Sequence, residues 1–332
     1  MNFLATIRDV AKKASVSITT VSRVLNGDTS ISVPLETRQR VFRAASELHY
    51  QGRSRNRRAS YGKLCVGLVV FLDESRESER PYMQAVRLGV EARLQELGIG
   101  LGAIIRGATQ LASATTMDGL VVVGHGVSEN LLGQVDASRI VVVDHLSEDP
   151  SFSCVTMDYS LAVRIAIDHL YSLGHRRIGF VGARNELEVR LATYRSVMRE
   201  KGLYDQQYEF LRDWWPEDGY ACMLDAIDRG NLPTAFFVAS DPLAIGALSA
   251  LRASGIEVPK QVSIVSFDDI STARFTEPPL TTVRGYPELE GKLAVDLLVQ
   301  RFTGLPVPLK ILIPPTLVER GTTAPVCASP RQ

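Results

Sequence analysis

The chain has 332 residues, of which 45% are hydrophobic and 22% are charged. This composition supports a large core, a length of two or three folding units, and a globular rather than disordered chain. No window approaches the ~20 uninterrupted apolar residues of a membrane span, and the N-terminal apolar run is too short for a secretory signal peptide. We therefore expect a cytoplasmic protein with no membrane partner.

The formal net charge of zero hides an asymmetry along the chain. Residues 1–61 carry eleven Lys and Arg against four Asp and Glu, a net +7, which leaves −7 for the remainder. A basic segment on an acidic body is typical of a nucleic-acid-binding headpiece, because contacts with phosphates release counterions. A basic face that is merely solvated is the alternative.

Residues 1–50 have the pattern of short helices with tight turns. Thr6 and Asp9 have the spacing of a capping box that opens a first helix. Ser17 is a candidate N-cap for a second helix over Ile18–Asn26, and a third begins near Pro34. The sequence therefore predicts an all-α helix-turn-helix headpiece, whose second helix would enter the major groove of DNA.

Residues 51–62 are polar and rich in arginine, which indicates a hinge linker. Beyond them, buried strands alternate with amphipathic helices, and continuous apolar strands between helices predict parallel sheets covered on both faces. Strands are expected at Cys65–Leu72, Ile99–Ile105, Gly119–Val123, Ile140–Val143, Ile178–Val181, Ala235–Val238 and Ser263–Phe267. Helices are expected at Tyr82–Leu97, Ser160–Leu173, Arg190–Lys201, Gly219–Arg229 and Pro242–Ala253. In such sheets ligands bind beyond the carboxyl ends of the strands.

The run Thr20-Val21-Ser22-Arg23-Val24-Leu25-Asn26 resembles the lactose- and galactose-repressor (LacI/GalR) family of bacterial regulators. The resemblance continues through Leu173-Gly174-His175-Arg176-Arg177-Ile178, Ala239-Ser240-Asp241-Pro242, Ser266-Phe267-Asp268-Asp269, Pro278-Pro279-Leu280-Thr281-Thr282 and Arg320-Gly321-Thr322-Thr323. It implies a two-lobed effector and dimerisation domain over residues 63–324, similar to a periplasmic sugar-binding protein. The N-terminal lobe would comprise 63–157 and 286–314, the C-terminal lobe 158–283 and 315–324, with a tail at 325–332.

The same resemblance assigns base reading to the second helix, at Ile18, Thr19 and Arg23. Arginine can bind guanine O6 and N7 in a bidentate pair, whereas Ile18 offers only apolar contact. A contact of Arg23 with phosphate alone is the alternative. Ser22 also faces outward, and Ser17 and Thr20 are better interpreted as phosphate-binding or capping groups.

The hinge departs from the family pattern. Members of the family insert a hinge leucine into the minor groove, but the matching position here is Arg58 or Ala59. Either the hinge binds the minor groove through arginines or it is less ordered than usual. The candidate contacts are Arg53, Arg55, Arg57, Arg58 and Ala59.

The predicted effector site lies between the lobes. Asp144 and Asp268 follow strands, and both can accept hydrogen bonds from sugar hydroxyls. By resemblance, Arg190 faces the sugar, Trp214 stacks on its ring, and Ser240 replaces a residue that is often Asn; Tyr82 is a further candidate from the N-terminal lobe. Two alternatives stay open, Trp214 as ordinary core and Asp268 or Asp269 as a cap of the next segment. Asp241 is predicted to be the N-cap of the following helix rather than a ligand group.

The predicted function is that of a homodimeric repressor, released from a palindromic operator by a small sugar. Thr272-Ala273-Arg274-Phe275 with Pro278-Pro279 resembles the branch of galactoside-operon repressors. A non-sugar effector or a corepressor is the alternative. The sequence shows no catalytic motif, and its four cysteines lack metal-ligand spacing, so we expect no enzyme, cofactor or metal site. A periplasmic sugar carrier would need a signal peptide and would not carry residues 6–50.

Overall fold

The computed structural model describes residues 6–25, 33–48, 64–70, 79–106, 116–124, 135–147, 149–184 and 188–326. The chain divides into two compact units, one of Met1–Lys63 with Leu97–Ile99 and one of Leu64–Glu96 with Gly100–Gln332. In these described ranges, no helix combines the length and the hydropathy needed to cross a membrane. The hinge residues 53–59 lie outside them.

In the described residues of the first unit there are three helices, α1 (Ile7–Ala14), α2 (Ile18–Leu25) and α3 (Leu35–Glu47). The predicted capping box is confirmed, since Thr6 N donates to Asp9 Oδ2 at 2.7 Å and Asp9 N to Thr6 Oγ1 at 3.4 Å. Ser17 caps α2 as predicted, accepting from Thr20 N at 3.0 Å. The helices share a core of Val10, Ala11, Ala14, Val21, Val24, Val41 and Ala44.

The second unit is built on two six-stranded sheets. The first sheet contains β1 (Cys65–Val70), β2 (Gly100–Arg106), β3 (Gly119–Val123), β4 (Ile140–Val143), β5 (Ser153–Met157) and β11 (Lys310–Ile313). They are all parallel, in the order β11-β5-β4-β3-β1-β2. We call the part built on this sheet the N-lobe.

The second sheet contains β6 (Ile178–Ala183), β7 (Glu209–Arg212), β8 (Ala235–Val238), β9 (Ser263–Asp268), β10 (Thr281–Arg284) and β12 (Thr316–Val318). Its order is β12-β10-β9-β8-β6-β7, and only the pairing of β12 with β10 is antiparallel. We call the part built on this sheet the C-lobe. The chain passes between the sheets after β5, after β10 and after β11.

The described helices of this unit are α4 (Pro81–Leu97), α5 (Tyr159–Ser172), α6 (Val189–Glu200), α7 (Pro216–Asp228), α8 (Asp241–Ala253) and α9 (Pro287–Phe302). Glycine permits the close packing of α7 on α8, because a Cβ atom at Gly246 would lie only 1.8 Å from Pro216 O. The two-lobed α/β class and the headpiece agree with the sequence prediction. The sequence pattern did not predict β5, β7, β10, β11, β12 or α9.

Candidate functional site

A single cleft between the two lobes brings together the six side chains that the sequence proposed for ligand binding. They are Tyr82, Asp144, Arg190, Trp214, Ser240 and Asp268. The sequence did not single out Arg80, Pro81, Met83, Tyr159 and Pro242, which line the same cleft. The space left between these side chains is about 20 Å³, whereas ligand pockets span roughly 300–1,000 Å³. The cleft is therefore closed, and a ligand enters only if its walls move.

Backbone geometry at the strand ends aims two carboxylates at the cleft. Asp144 follows β4 with φ 61°, and Asp268 ends β9 with φ 119°. Non-glycine residues rarely adopt such left-handed conformations, and their strain is typical of functional sites. Both side chains lie at carboxyl ends of parallel strands, as the sheet rule predicts.

Arg190, in the first turn of α6, is buried in an ion pair. Its Nε donates to Glu188 Oε1 at 2.7 Å, and its Nη1 donates to Ala239 O at 3.1 Å. Burial alone would lower the pKa of Arg190, but the neighbouring Glu188 carboxylate raises it above its ordinary value. Glu188 Oε2 also accepts from Leu191 N at 3.0 Å and so caps the helix. The guanidinium is thus charged and fixed in direction.

Aromatic rings surround this guanidinium. Its centre lies 4.4 Å from the ring centroid of Trp214 and 4.7 Å from that of Tyr159. From the N-lobe, the guanidinium of Arg80 lies 5.4 Å from the same Trp214 ring. Trp214 is half-buried against these cations, so it lines the cleft rather than the interior of the core.

Ser240, and not Asp241, is the residue that caps α8. Ser240 is the N-cap of α8, where its Oγ accepts from Leu243 N at 3.5 Å, so the cap prediction for Asp241 is wrong. Asp241 accepts instead from Ser266 Oγ, from Thr282 Oγ1 at 2.7 Å and from Ile270 N at 2.9 Å. Its carboxyl therefore joins α8 to β9 and β10 directly behind the cleft.

Burial dominates the titration of the carboxyl groups in the C-lobe wall. It raises the pKa of Asp241 to about 7, against the hydrogen bonds from Ser266 and Thr282. Burial also raises the pKa of Asp268, with a further contribution from Asp241, while Arg190 and Arg80 oppose the rise. Asp268 is the last residue of β9 and is not the N-cap of a described helix, so its predicted capping role is not found.

Two tyrosines, Tyr159 from α5 on the C-lobe sheet and Tyr82 from α4, bind carboxyl groups of the N-lobe. Tyr159 Oη donates to Asp144 Oδ1, and Tyr82 Oη donates to Glu290 Oε1 at 2.6 Å. Glu290, in the first turn of α9, is fully buried, and its Oε2 has no hydrogen-bond partner among the described residues. Burial, with Asp144 nearby, raises the pKa of Glu290 well above its ordinary value.

The cleft offers carboxylate acceptors, a fixed guanidinium fork and an indole ring, which together suit a neutral ligand carrying several hydroxyl groups. A strongly anionic ligand fits less well, because Asp144 and Glu188 lie beside the two arginines. Within the ranges that the structure describes, no group of three His, Cys, Asp or Glu side chains could hold a metal ion.

The headpiece presents the other candidate surface. On α2 and its cap, Ser17, Ile18 and Thr19 are exposed, while Thr20, Ser22 and Arg23 are half-buried. Ile18 is 45% exposed despite its apolar side chain, which leaves it available for contact. The hinge candidates Arg53, Arg55, Arg57, Arg58 and Ala59 belong to the residues that the structure does not describe.

Comparisons with known proteins agree with this geometry. A family model for bacterial regulatory proteins, lacI family, matches residues 6–52, and one for a periplasmic binding protein-like domain matches residues 167–323. The chain is 36% identical to the HTH-type transcriptional repressor MelR of Bacillus subtilis (strain 168), over 96% of this chain and 98% of that protein.

Two solved structures have the same fold over nearly the whole chain. The transcriptional regulator CelR–cellobiose complex has a TM-score of 0.72 and 30% identity, and the match covers 96% of this chain and 99% of that one. The lac repressor dimer bound to operator and the anti-inducer ONPF has a TM-score of 0.70 and 25% identity, with 97% and 100% covered.

Proposed function

Because this chain belongs to the LacI family of bacterial regulatory proteins, we propose that it represses a carbohydrate-utilisation operon in the cytoplasm and is released by a neutral sugar. It is a transcriptional repressor with an effector domain of the sugar-binding type, and not an enzyme.

The observation that carries the sugar assignment is the convergence of Arg190, Asp144, Asp268 and Trp214 on one cleft. Paired hydroxyl groups suit a planar guanidinium and carboxylate acceptors, and an indole covers the apolar face of a sugar ring. The relative named as a cellobiose complex supports this ligand class. A galactoside is the specific sugar that the sequence pattern favours.

On the DNA side, we assign base reading to the exposed start of α2, at Ile18 and Thr19, with Arg23 as the polar reader of guanine. Ser17 already caps its helix, so it and Thr20 would position the headpiece, and Ser22 would lie along the same face. The arginines of residues 53–58, with Ala59, would contact the minor groove or phosphates of the hinge site.

Two headpieces require a symmetric dimer on a near-palindromic operator. The relative solved as a dimer on its operator supports this assembly, and Phe275, which is 80% exposed in the C-lobe, is a suitable apolar contact. We expect Phe275→Glu to shift the protein toward monomer in sedimentation at micromolar concentration. Val307→Glu, at another exposed apolar position, is the control and should leave the dimer intact.

Because the cleft contains a free volume of only about 20 Å³, a sugar can bind only when the side chains that line one wall of the cleft move. Arg80 of the N-lobe, which contacts Trp214 of the C-lobe, is the side chain best placed to move. A sugar that binds one arrangement of the lobes better than the other shifts their population, and this shift would weaken operator binding. A corepressor would act through the same cleft with the opposite sign.

The test is thermal-shift screening against mono- and disaccharides, galactosides included, followed by operator binding with and without the best ligand. A sugar that raises the melting temperature should lower operator affinity, and Arg190→Ala should abolish both effects while still binding operator. Arg23→Ala should lose operator binding and should still show the rise in melting temperature with the sugar. No shift with any sugar would reject the sugar assignment, and tighter operator binding with sugar would show a corepressor.

A further inference from the structure

A second pocket, of about 510 Å³, runs along the outer edge of the C-lobe. It follows β7, the edge strand of the second sheet, and shares no lining residue with the cleft. Its walls come from β7 itself, from Arg195 of α6 and from Asp225 of α7. The volume lies within the range of small-molecule sites.

The pocket concentrates arginine. Four guanidinium groups, those of Arg184, Arg195, Arg212 and Arg229, face two carboxylates, Glu209 and Asp225. This gives the pocket walls a net charge of +2, although the chain as a whole is neutral. A positive patch of this kind attracts anions at long range.

Two of the four arginines are held by the carboxylates. Arg195 binds Glu209 through two hydrogen bonds of 2.8 Å, and Tyr204 Oη donates to the same carboxylate at 3.0 Å. Arg212 Nη2 lies 2.9 Å from Asp225 Oδ2. These ion pairs neutralise the two carboxylates that line the pocket.

The other two arginines, Arg184 and Arg229, are exposed and donate to main-chain carbonyls. Arg184 Nη2 donates to Leu211 O at 3.3 Å, and Arg229 Nη1 donates to Gln207 O at 2.6 Å. The ring of Phe210 lies 4.5 Å from the guanidinium centre of Arg229 and fixes its plane. A guanidinium has five N–H donors, so each of these groups keeps donors that can bind a ligand.

We propose that this pocket binds a phosphomonoester of a small polar metabolite. A phosphoryl group matches guanidinium forks in both geometry and charge, and Arg184 and Arg229 would be its ligands. The remaining volume would hold the body of the metabolite against Leu211 and Gln206. The repressor would then respond to a phosphorylated metabolite at a site separate from its sugar cleft.

The experiment is isothermal titration of the full-length protein with glycerol 3-phosphate, with glycerol, inorganic phosphate and a phosphoserine peptide as comparison ligands. We expect glycerol 3-phosphate to bind with a dissociation constant of millimolar or tighter, and glycerol not to bind. The double variant R184Q/R229Q should weaken binding at least tenfold. The control R176Q/R252Q removes two arginines of the same lobe that are also exposed and bound to main-chain carbonyls, and it should bind as the wild type does.

The other outcomes overturn the proposal. No binding at 10 mM, or loss of binding in Arg190→Ala with retention in R184Q/R229Q, would reject the pocket as the site. Inorganic phosphate that binds as tightly as glycerol 3-phosphate would show that the metabolite body makes no contact. A phosphoserine peptide that binds tenfold tighter than glycerol 3-phosphate would identify a phosphoprotein as the partner instead.

Discussion

The two walls of the cleft bury their charged groups in different ways. In the C-lobe, both carboxylate oxygens of Glu188 accept hydrogen bonds, one from Arg190 and one from the backbone of α6. In the N-lobe, Glu290 uses one oxygen on Tyr82, and its Oε2 has no partner among the described residues. The C-lobe wall is therefore preorganised around a charged pair, whereas the N-lobe wall holds a carboxyl group that burial favours in its neutral form.

This difference indicates how the two walls divide their work. A fixed ion pair retains its geometry when a ligand binds, so we expect the C-lobe to orient the ligand. A buried carboxyl with an unused oxygen costs free energy, so we expect the stability of the N-lobe wall to depend on the protonation of Glu290. Three variants test this division.

The largest effect is expected for Arg190→Ala, because it leaves the carboxylate of Glu188 buried without its partner. Breaking a buried ion pair costs roughly 3–5 kcal/mol, and urea unfolding followed by circular dichroism would measure the loss. Arg164→Ala is the control, since it breaks the exposed pair with Glu200 and should change stability little. Equal effects of the two variants would contradict a preorganised C-lobe wall.

Tyr82→Phe should have an intermediate effect. It removes the hydroxyl that donates to Glu290 and leaves the buried carboxyl with no side-chain donor, at a cost of about 1–3 kcal/mol. Tyr286→Phe removes a hydroxyl that contacts Thr316 at the surface, and it should cost less in the same unfolding experiment. A neutral result for Tyr82→Phe would mean that Glu290 finds another donor.

The smallest effect at acid pH is expected for Glu290→Gln, which substitutes a neutral group of similar shape. The pKa of Glu290 is raised in the folded state, so its contribution to stability is full below the unfolded pKa and is lost as the pH rises through the folded pKa. In urea unfolding, the stability of the variant relative to the wild type should therefore rise from pH 5 to pH 8.

Comparing the two proteins at each pH cancels the titration of the groups that do not interact with Glu290. In both proteins, the contribution of Asp241 to stability falls over this range, because its pKa is raised to about 7. The contributions of His169 and His175 rise, because burial lowers their pKa values. A difference between wild type and Glu290→Gln that does not change from pH 5 to pH 8 would show that Glu290 is ionised in the folded protein.

Much of the fold follows from the sequence because buried parallel strands are continuous apolar runs. Ile140–Val143 and Ala235–Val238 have the predicted bounds. Strand β7 was not identified because Glu209 and Arg212 interrupt its apolar pattern, and the side chains that pair with them, Arg195 and Asp225, come from helices. The unidentified β10 and β12 are short and carry threonine, so they have little apolar signal of their own.

Some residues of the candidate site could likewise be predicted from the sequence, and others could not. Asp144 and Asp268 could be found because they end strands, and Arg190 because it lies in a family motif. Glu188, two residues before Arg190 at the start of α6, carries a local signal as an N-cap carboxylate. Glu290 carries none, because an acidic residue in the first turn of a helix is ordinarily exposed, and its partner Tyr82 lies 208 positions away in the sequence.

The sequence by itself determined the headpiece, the alternation of strands and helices, and the residues at the strand ends. These features depend on local spacing, capping and hydrophobic periodicity, which neighbouring residues encode. Only the tertiary structure decided that the cleft is closed, that Ser240 rather than Asp241 caps α8, and that Glu290 is buried beside Tyr82. Those outcomes depend on packing and desolvation among residues that are distant in the chain.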